Sequence, residues 1–227
     1  MRNEIVLIGP LSAGKTSVAL YVSTRLRKPN YPLDRIKWYY RFRNGYDLAR
    51  GTVILRSAGF AALLEYAKPY FSMTDLKRFL EEFKGGVIDF GASHSVFEDR
   101  GSLWEAQHIL KPFINVVLLL PTPDPHLNIS ILSERIRQRY SERERTLHII
   151  ESYVDVNKRF VLSPSNATLA KHTVYTEGKT VEETGEEVIA KCGLTPIGNI
   201  GADSRDEAGF LESAVWSEAR AVVPPFA

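Results

Sequence analysis

Residues Glu4 to Val18 read EIVLIGPLSAGKTSV, and no other stretch constrains the fold as strongly. Ile5 to Ile8 is an unbroken apolar run, the signature of a strand covered on both faces. Gly9 ends it, a loop of mostly small residues follows, and Lys15 to Arg27 reads as a helix. Gly9-Pro10-Leu11-Ser12-Ala13-Gly14-Lys15-Thr16 fits the spacing G-x-x-x-x-G-K-[ST]. Such a loop wraps a polyphosphate with its backbone N–H groups turned inward, and the next helix presents its N-terminus to the anion. Gly9 to Ser17 are therefore the expected nucleotide-binding residues. Lys15, read as a solvent-facing loop residue, neutralises the terminal phosphates, and the Thr16 hydroxyl is placed to ligate Mg²⁺.

The remaining apolar runs are also continuous and alternate with helical patterns, which implies a parallel sheet between two helical layers. Val87 to Phe90, Ile114 to Leu120 and His172 to Thr176 read as strands. Ser72 to Phe83 reads as a helix capped by Ser72, and Lys84-Gly85-Gly86 ends it. Ser102 to Leu110, Asn128 to Tyr140, His148 to Phe160 and Val181 to Cys192 are further helices, and 44–83 is a helical insertion on the acceptor side. The 227 residues suit one domain over 1–193, with 194–227 as an appendage holding a helix over 206–221 or as a tail carried over from expression. A net charge of +2 gives no reason to expect a nucleic-acid partner, and no apolar run is long enough to span a membrane. The single cysteine, Cys192, excludes an internal disulfide and fits a reducing, cytoplasmic setting. Composition says nothing of oligomeric state.

A phosphate-binding loop serves ATPases, GTPases and kinases alike, so the residues opposite it matter. The guanine-reading pattern N-K-x-D is incomplete, because Phe160 follows Asn157-Lys158-Arg159. Asp89-Phe90-Gly91 spells a protein-kinase metal motif without the accompanying motifs. Asp89 ends a buried strand, where a carboxylate ligates Mg²⁺ or caps the next loop. Asp34, expected at the end of the second strand, is placed to accept a hydroxyl proton from an acceptor or to cap a helix. Trp38, Tyr39, Tyr40 and Phe42 beside it are core or the wall of an acceptor pocket. Glu134 to Arg145 carries Arg135, Arg137, Arg139, Arg143 and Arg145, interleaved with glutamates. Such a run is a solvated helix laced by ion pairs or a lid (about 128–147) that brings arginines over the phosphates. Arg135 and Arg139 are the nominated catalytic pair, with Lys15 and Asp34.

Taken together, these pieces resemble the small P-loop kinases of the shikimate kinase and nucleoside-monophosphate-kinase-like group over about 1–193. The resemblance implies a five-stranded parallel sheet, a helical acceptor region, an arginine-rich lid and transfer of the γ-phosphate of Mg·ATP to a small acceptor. It also implies that a loop at Ser163 to Ala170 borders the adenine. The chain departs from the shikimate pattern in three places. Gly91-Ala92-Ser93 stands where three glycines are expected, Asp34 stands alone where a pair is expected, and Ala61-Ala62 occupy the region of an acceptor-binding arginine. GPLSAGKT also looks like antibiotic-modifying phosphotransferases of the chloramphenicol type. The implied ligands are ATP, Mg²⁺ and a small hydroxylated acceptor. A nucleoside monophosphate kinase remains open through Arg41, Arg43, Arg50 and Arg56, and so does a regulatory ATPase that binds a protein partner.

Overall fold

The computed structural model describes residues 1–141 and 146–196. Arg143, Arg145 and residues 197–227 of the C-terminal appendage, with its expected helix, lie outside the described residues. The five strands are β1 (Arg2–Ile8), β2 (Asn30–Pro32), β3 (Val87–Asp89), β4 (Phe113–Leu120) and β5 (His172–Tyr175). They form one parallel sheet in the order β2-β3-β1-β4-β5. β1, which carries the glycine loop at its end, is the central strand.

Alternation along β1 divides the core. Ile5 and Leu7 face α1 (Lys15–Leu26) and α9 (Val181–Lys191), packing with Val18, Val22, Val188 and Ile189. Val6 and Ile8 face α2 (Leu33–Arg43), α4 (Met73–Glu82) and α5 (Arg100–Leu110), packing with Leu33, Ile36, Phe79 and Leu110. Both faces are apolar because both are covered, so the strand is a continuous apolar run and not an alternating one. The expected three-layer α/β sandwich is present. Ser72 and Asp75 form a reciprocal capping box at the start of α4, as Ser72 predicted.

Two elements differ from the sequence reading. β2 stops at Pro32, one residue short of Leu33, and Asp34 lies in the first turn of α2. Pro32 supplies the extended N-cap conformation, so the chain enters the helix immediately after the proline ring. Asp34 makes no capping hydrogen bond there. The segment Ser163 to Ala170 is not a loop. It contains the short helix α8 (Pro164–Leu169), started by Ser163 Oγ accepting from the Ser165 N–H, and Leu169 packs on the α2/α4/α5 side of the sheet.

Beyond the sheet, α3 (Leu48–Ala67) is broken at Gly59, where φ is 82°. The Phe60 N–H that this break frees donates to Ser152 Oγ at 3.0 Å, on α7 (Leu147–Leu162). α6 (Pro125–Ser141) packs against α7 through Ile136, Ile149 and Val154. Tyr153 of α7 stacks between Tyr140 of α6 and Phe60 of α3, with centroid distances of 4.5 and 4.1 Å. A methyl group at Gly59 would meet Ser152 Cβ at 2.9 Å in a backbone conformation that side chains rarely adopt. Gly59→Ala is expected to destabilise the protein by about 1–3 kcal/mol, measured by chemical denaturation. An unchanged midpoint would mean that α3 straightens without cost.

Candidate active site

Sheet register builds the site. Leu7 lies beside Asp89, and Pro32 lies beside Asp89 on its other flank. The C-terminal ends of β1, β3 and β2 are therefore level. The glycine loop, the Asp89 carboxylate and the first turn of α2 emerge together at the edge where ligands bind in open parallel sheets.

The loop has the local geometry of an anion cradle. Gly9 has φ 139°, and a Cβ there would stand 2.5 Å from the Leu119 carbonyl oxygen of β4. Ser12 adopts a left-handed conformation, and Gly14, the N-cap of α1, has φ 90° with open space where a side chain would project. Lys15 is only 8% exposed, unlike the solvent-facing residue the sequence implied. Its Nζ donates to the carbonyls of Gly9 at 2.9 Å and Pro10 at 2.8 Å. Burial lowers its pKa, against the opposing pull of Asp89 and Asp34. The Thr16 hydroxyl lies close enough to the Asp89 carboxyl to favour its charged form. Burial pushes the Asp89 carboxyl up to about 6, although Lys15 and Thr16 favour its charged form.

Asp34 sits across the cleft, with its side chain 57% exposed. The surrounding protein disfavours its charge, but Lys37, His94 and Lys15 together hold the carboxyl below the usual carboxylate range. Lys37 is its ion-pair partner, one turn along α2. Gly91, after β3, is what lets Asp34 fit: a Cβ at Gly91 would lie 2.1 Å from Asp34 Oδ1. His94 Nδ1 is 3.2 Å from the Gly91 carbonyl oxygen, and burial beside Lys37 and Arg41 drives the imidazole down to about 3. It is neutral at physiological pH.

The arginine run divides by partner. Arg137 makes a two-pronged pair with Glu151 of α7, at 2.7 and 3.0 Å. Arg135 pairs with Glu177, after β5, at 2.9 Å. Arg139 is the described arginine of the run whose charge reaches Lys15. The solvated, ion-paired alternative thus describes Arg135 and Arg137.

No protein-family model matches this sequence, and no curated protein matches it. Solved structures do resemble it. A shikimate kinase from Acinetobacter baumannii in complex with shikimate has a TM-score of 0.54 at 18% identity, covering 84% of this chain and 93% of that chain. A shikimate kinase from Bacteroides thetaiotaomicron has a TM-score of 0.50 at 17% identity, covering 84% and 98%. This is the shikimate-type P-loop kinase fold.

Within that fold, sequence reasoning missed one contributor. Asn157 is 2% exposed. Its Oδ1 accepts from the Leu11 N–H at 2.7 Å, and its Nδ2 donates to the Leu11 carbonyl oxygen at 3.3 Å. Both backbone groups of one loop residue are thereby held by a helix 146 residues away. In the sequence Asn157 had only an incomplete guanine-reading pattern around it. Its partner is a backbone, which leaves no signature in a side-chain alphabet.

The elevated Asp89 carboxyl has a consequence for stability. A carboxyl that ionises less readily in the folded than in the unfolded chain destabilises the fold once charged, so this penalty grows as pH rises from about 4 to 6 and is complete above. Asp89→Asn is expected to gain on the wild type by roughly 1–3 kcal/mol over that window. Urea denaturation of ligand-free protein at pH 4.5 and 7.5 measures the gain, and parallel curves at both pH values would rule it out.

Proposed function

We propose that this chain is a phosphotransferase that moves the γ-phosphate of ATP to a hydroxyl group of a small acceptor. The observation that carries the reading is the meeting of Asp34 with Lys15 and Asp89 at one sheet edge. A plain NTPase needs the loop and the Asp89 position. A carboxylate on the acceptor side of the cleft serves a second substrate.

The residues present fit Mg·ATP. The left-handed loop with an open Gly14 can close round phosphates, and Lys15 has Nζ donors now spent on loop carbonyls that phosphate oxygens would receive instead. Thr16 and Asp89, already in contact, would hold Mg²⁺. No group of three or more metal-ligating side chains occurs among the described residues, and Mg²⁺ on a nucleotide does not need one, since phosphate oxygens and water complete its shell. When bound, the ion neutralises charge on the β- and γ-phosphates.

In the proposed transfer, the acceptor hydroxyl oxygen attacks the γ-phosphorus and the bond to the β-bridging oxygen breaks, releasing ADP. The hydroxyl proton passes to Asp34 or through it to water. The Lys37 pair keeps Asp34 ionised, so it is ready to accept a hydrogen bond from the hydroxyl. That same stabilisation makes it a weak base, which suits a loose transition state in which proton transfer is late and orientation matters more. Arg139 and Lys15 would stabilise the charge on the transferred group. Arg135 takes part only if its pair with Glu177 opens. The cytoplasm, with its ATP, is the setting this reading implies.

The nucleoside monophosphate alternative has less support. Arg43 and Arg56 are exposed, and Arg50 lies over the Tyr66 ring, leaving Arg41 as the arginine of that set that lines an internal cavity.

ATP consumption with mass detection of product, across hydroxylated metabolites, nucleoside monophosphates and hydroxyl-bearing antibiotics, tests the reading. Lys15→Ala is expected to cut turnover by at least about 100-fold with the circular dichroism spectrum retained. Unchanged turnover would refute the assignment of the loop. Asp34→Asn should lower transfer by about 10²-fold or more with the KM for ATP nearly constant. Equal loss of both would make Asp34 structural.

A further inference from the structure

The glycine loop turns through three positions of positive φ: Gly9 at 139°, Ser12 at 60° and Gly14 at 90°. Ser12 carries a side chain, so this shape is not free of strain. A backbone of that kind persists where its surroundings fix it. Two ties meet the loop. Lys15 Nζ donates to the Gly9 and Pro10 carbonyls. Asn157 of α7 holds both backbone groups of Leu11, accepting from its N–H at 2.7 Å and donating to its carbonyl oxygen at 3.3 Å.

The two ties differ in what a ligand does to them. A phosphate draws the Lys15 ammonium to itself, and the Gly9 and Pro10 carbonyls then lose their donor. Leu11 gives no N–H to a phosphate, because Asn157 Oδ1 already takes it. The Asn157 tie is therefore compatible with an occupied loop, and the Lys15 tie is not.

Asn157 is also out of place for a residue that only packs. The buried face of α7 otherwise consists of Ile149, Ile150, Tyr153, Val154, Val156 and Phe160. Leu11 packs against the clusters that contain Tyr153 and Phe160, so an apolar residue at 157 would continue that face. The carboxamide that stands there is 2% exposed, and it carries both the acceptor and the donor that one residue's N–H and C=O require. Buried without those partners, it would destabilise the fold.

We infer that Asn157 is a positioning residue of the nucleotide loop. It keeps the loop in its phosphate-binding shape before a nucleotide arrives and after Lys15 has turned to the phosphates. The gain is affinity, because a loop that is already ordered loses little freedom on binding. This role rests on the nucleotide-binding part of the phosphotransferase reading and is independent of the acceptor.

Amide hydrogen exchange followed by NMR on nucleotide-free protein, together with calorimetric titration of Mg·ADP, tests it. The Leu11 N–H should exchange slowly in the wild type. Asn157→Leu, which keeps the bulk but neither polar atom, should speed that exchange by at least about tenfold and weaken ADP binding by at least about tenfold. Asn157→Asp separates positioning from packing. Its charged form keeps the acceptor but offers the Leu11 carbonyl no donor, and its protonated form supplies both. ADP affinity in this variant should fall about tenfold below the wild type at about pH 8 and return to within about threefold of it at about pH 5.5, since burial favours the protonated carboxyl. Comparison with the wild type at each pH removes the titration of Asp89, and the charges of Lys15 on the loop and of Asp155, Lys158 and Arg159 on α7 are common to both proteins. Unchanged exchange or unchanged ADP affinity in Asn157→Leu overturns the role. So does an Asn157→Asp deficit that is the same at both pH values. Absence of ADP binding in the wild type would remove the nucleotide reading and this role together, whereas equal affinity in all three proteins would remove this role alone.

Discussion

The parallel register of β2, β3 and β1 is the constraint from which the rest of this structure follows. Leu7, Asp89 and Pro32 stand side by side, so three chain segments leave the sheet at one level. A shift of one residue in either pairing would turn Asp89 to the other face of the sheet, because side chains alternate along a strand. The glycine loop would then lose its carboxylate, and Thr16 its partner. Burial of both sheet faces enforces the register: each apolar residue of β1 has a helix layer to fill, and slippage would misplace all of them at once.

Charge in the cleft is arranged with equal economy. Lys15, Asp89, Asp34, Lys37, Arg41 and His94 are close enough to influence one another. Burial works against every one of these charges, and the outcome depends on partners. Asp34 stays ionised because Lys37 is one turn away, whereas Asp89 is pushed toward neutrality despite Lys15. His94 gives up its proton between two cations. Arg41 cannot neutralise, and among the described residues it forms no ion pair, although the charge of Asp34 reaches it.

Helix α7 ties the two sides of the cleft together. Asn157 holds Leu11 of the glycine loop, and one and a half turns earlier Ser152 holds Phe60 at the break in α3. Leu11 and Phe60 both pack on α7 through apolar contacts as well. The glycine loop and the 44–83 insertion are thus both braced on α7. This placement explains why Gly59 is a glycine: the helix must break there to meet α7, and a side chain would collide with Ser152.

Local chemistry made much of this legible in the chain itself. The glycine loop with its strand and helix, the Ser72 cap, the α/β class and the Asp89 position all depend on residues near one another in sequence, where steric and hydrogen-bonding rules act directly. Asp34 was recognised as a residue of interest but misplaced on a strand, because a proline ends β2 one residue earlier and itself starts the helix. The arginine run was visible as a charge pattern. Which arginines are held in ion pairs was not, since Glu151 and Glu177 claim Arg137 and Arg135 from distant segments. Asn157 on the Leu11 backbone and the buried Arg41 Nε without a hydrogen-bond partner were decided only by tertiary structure. A hydrogen bond across 146 residues, and a buried Nε without a hydrogen-bond partner, are properties of the space between elements, and no local rule encodes what packing brings together or leaves unpaired.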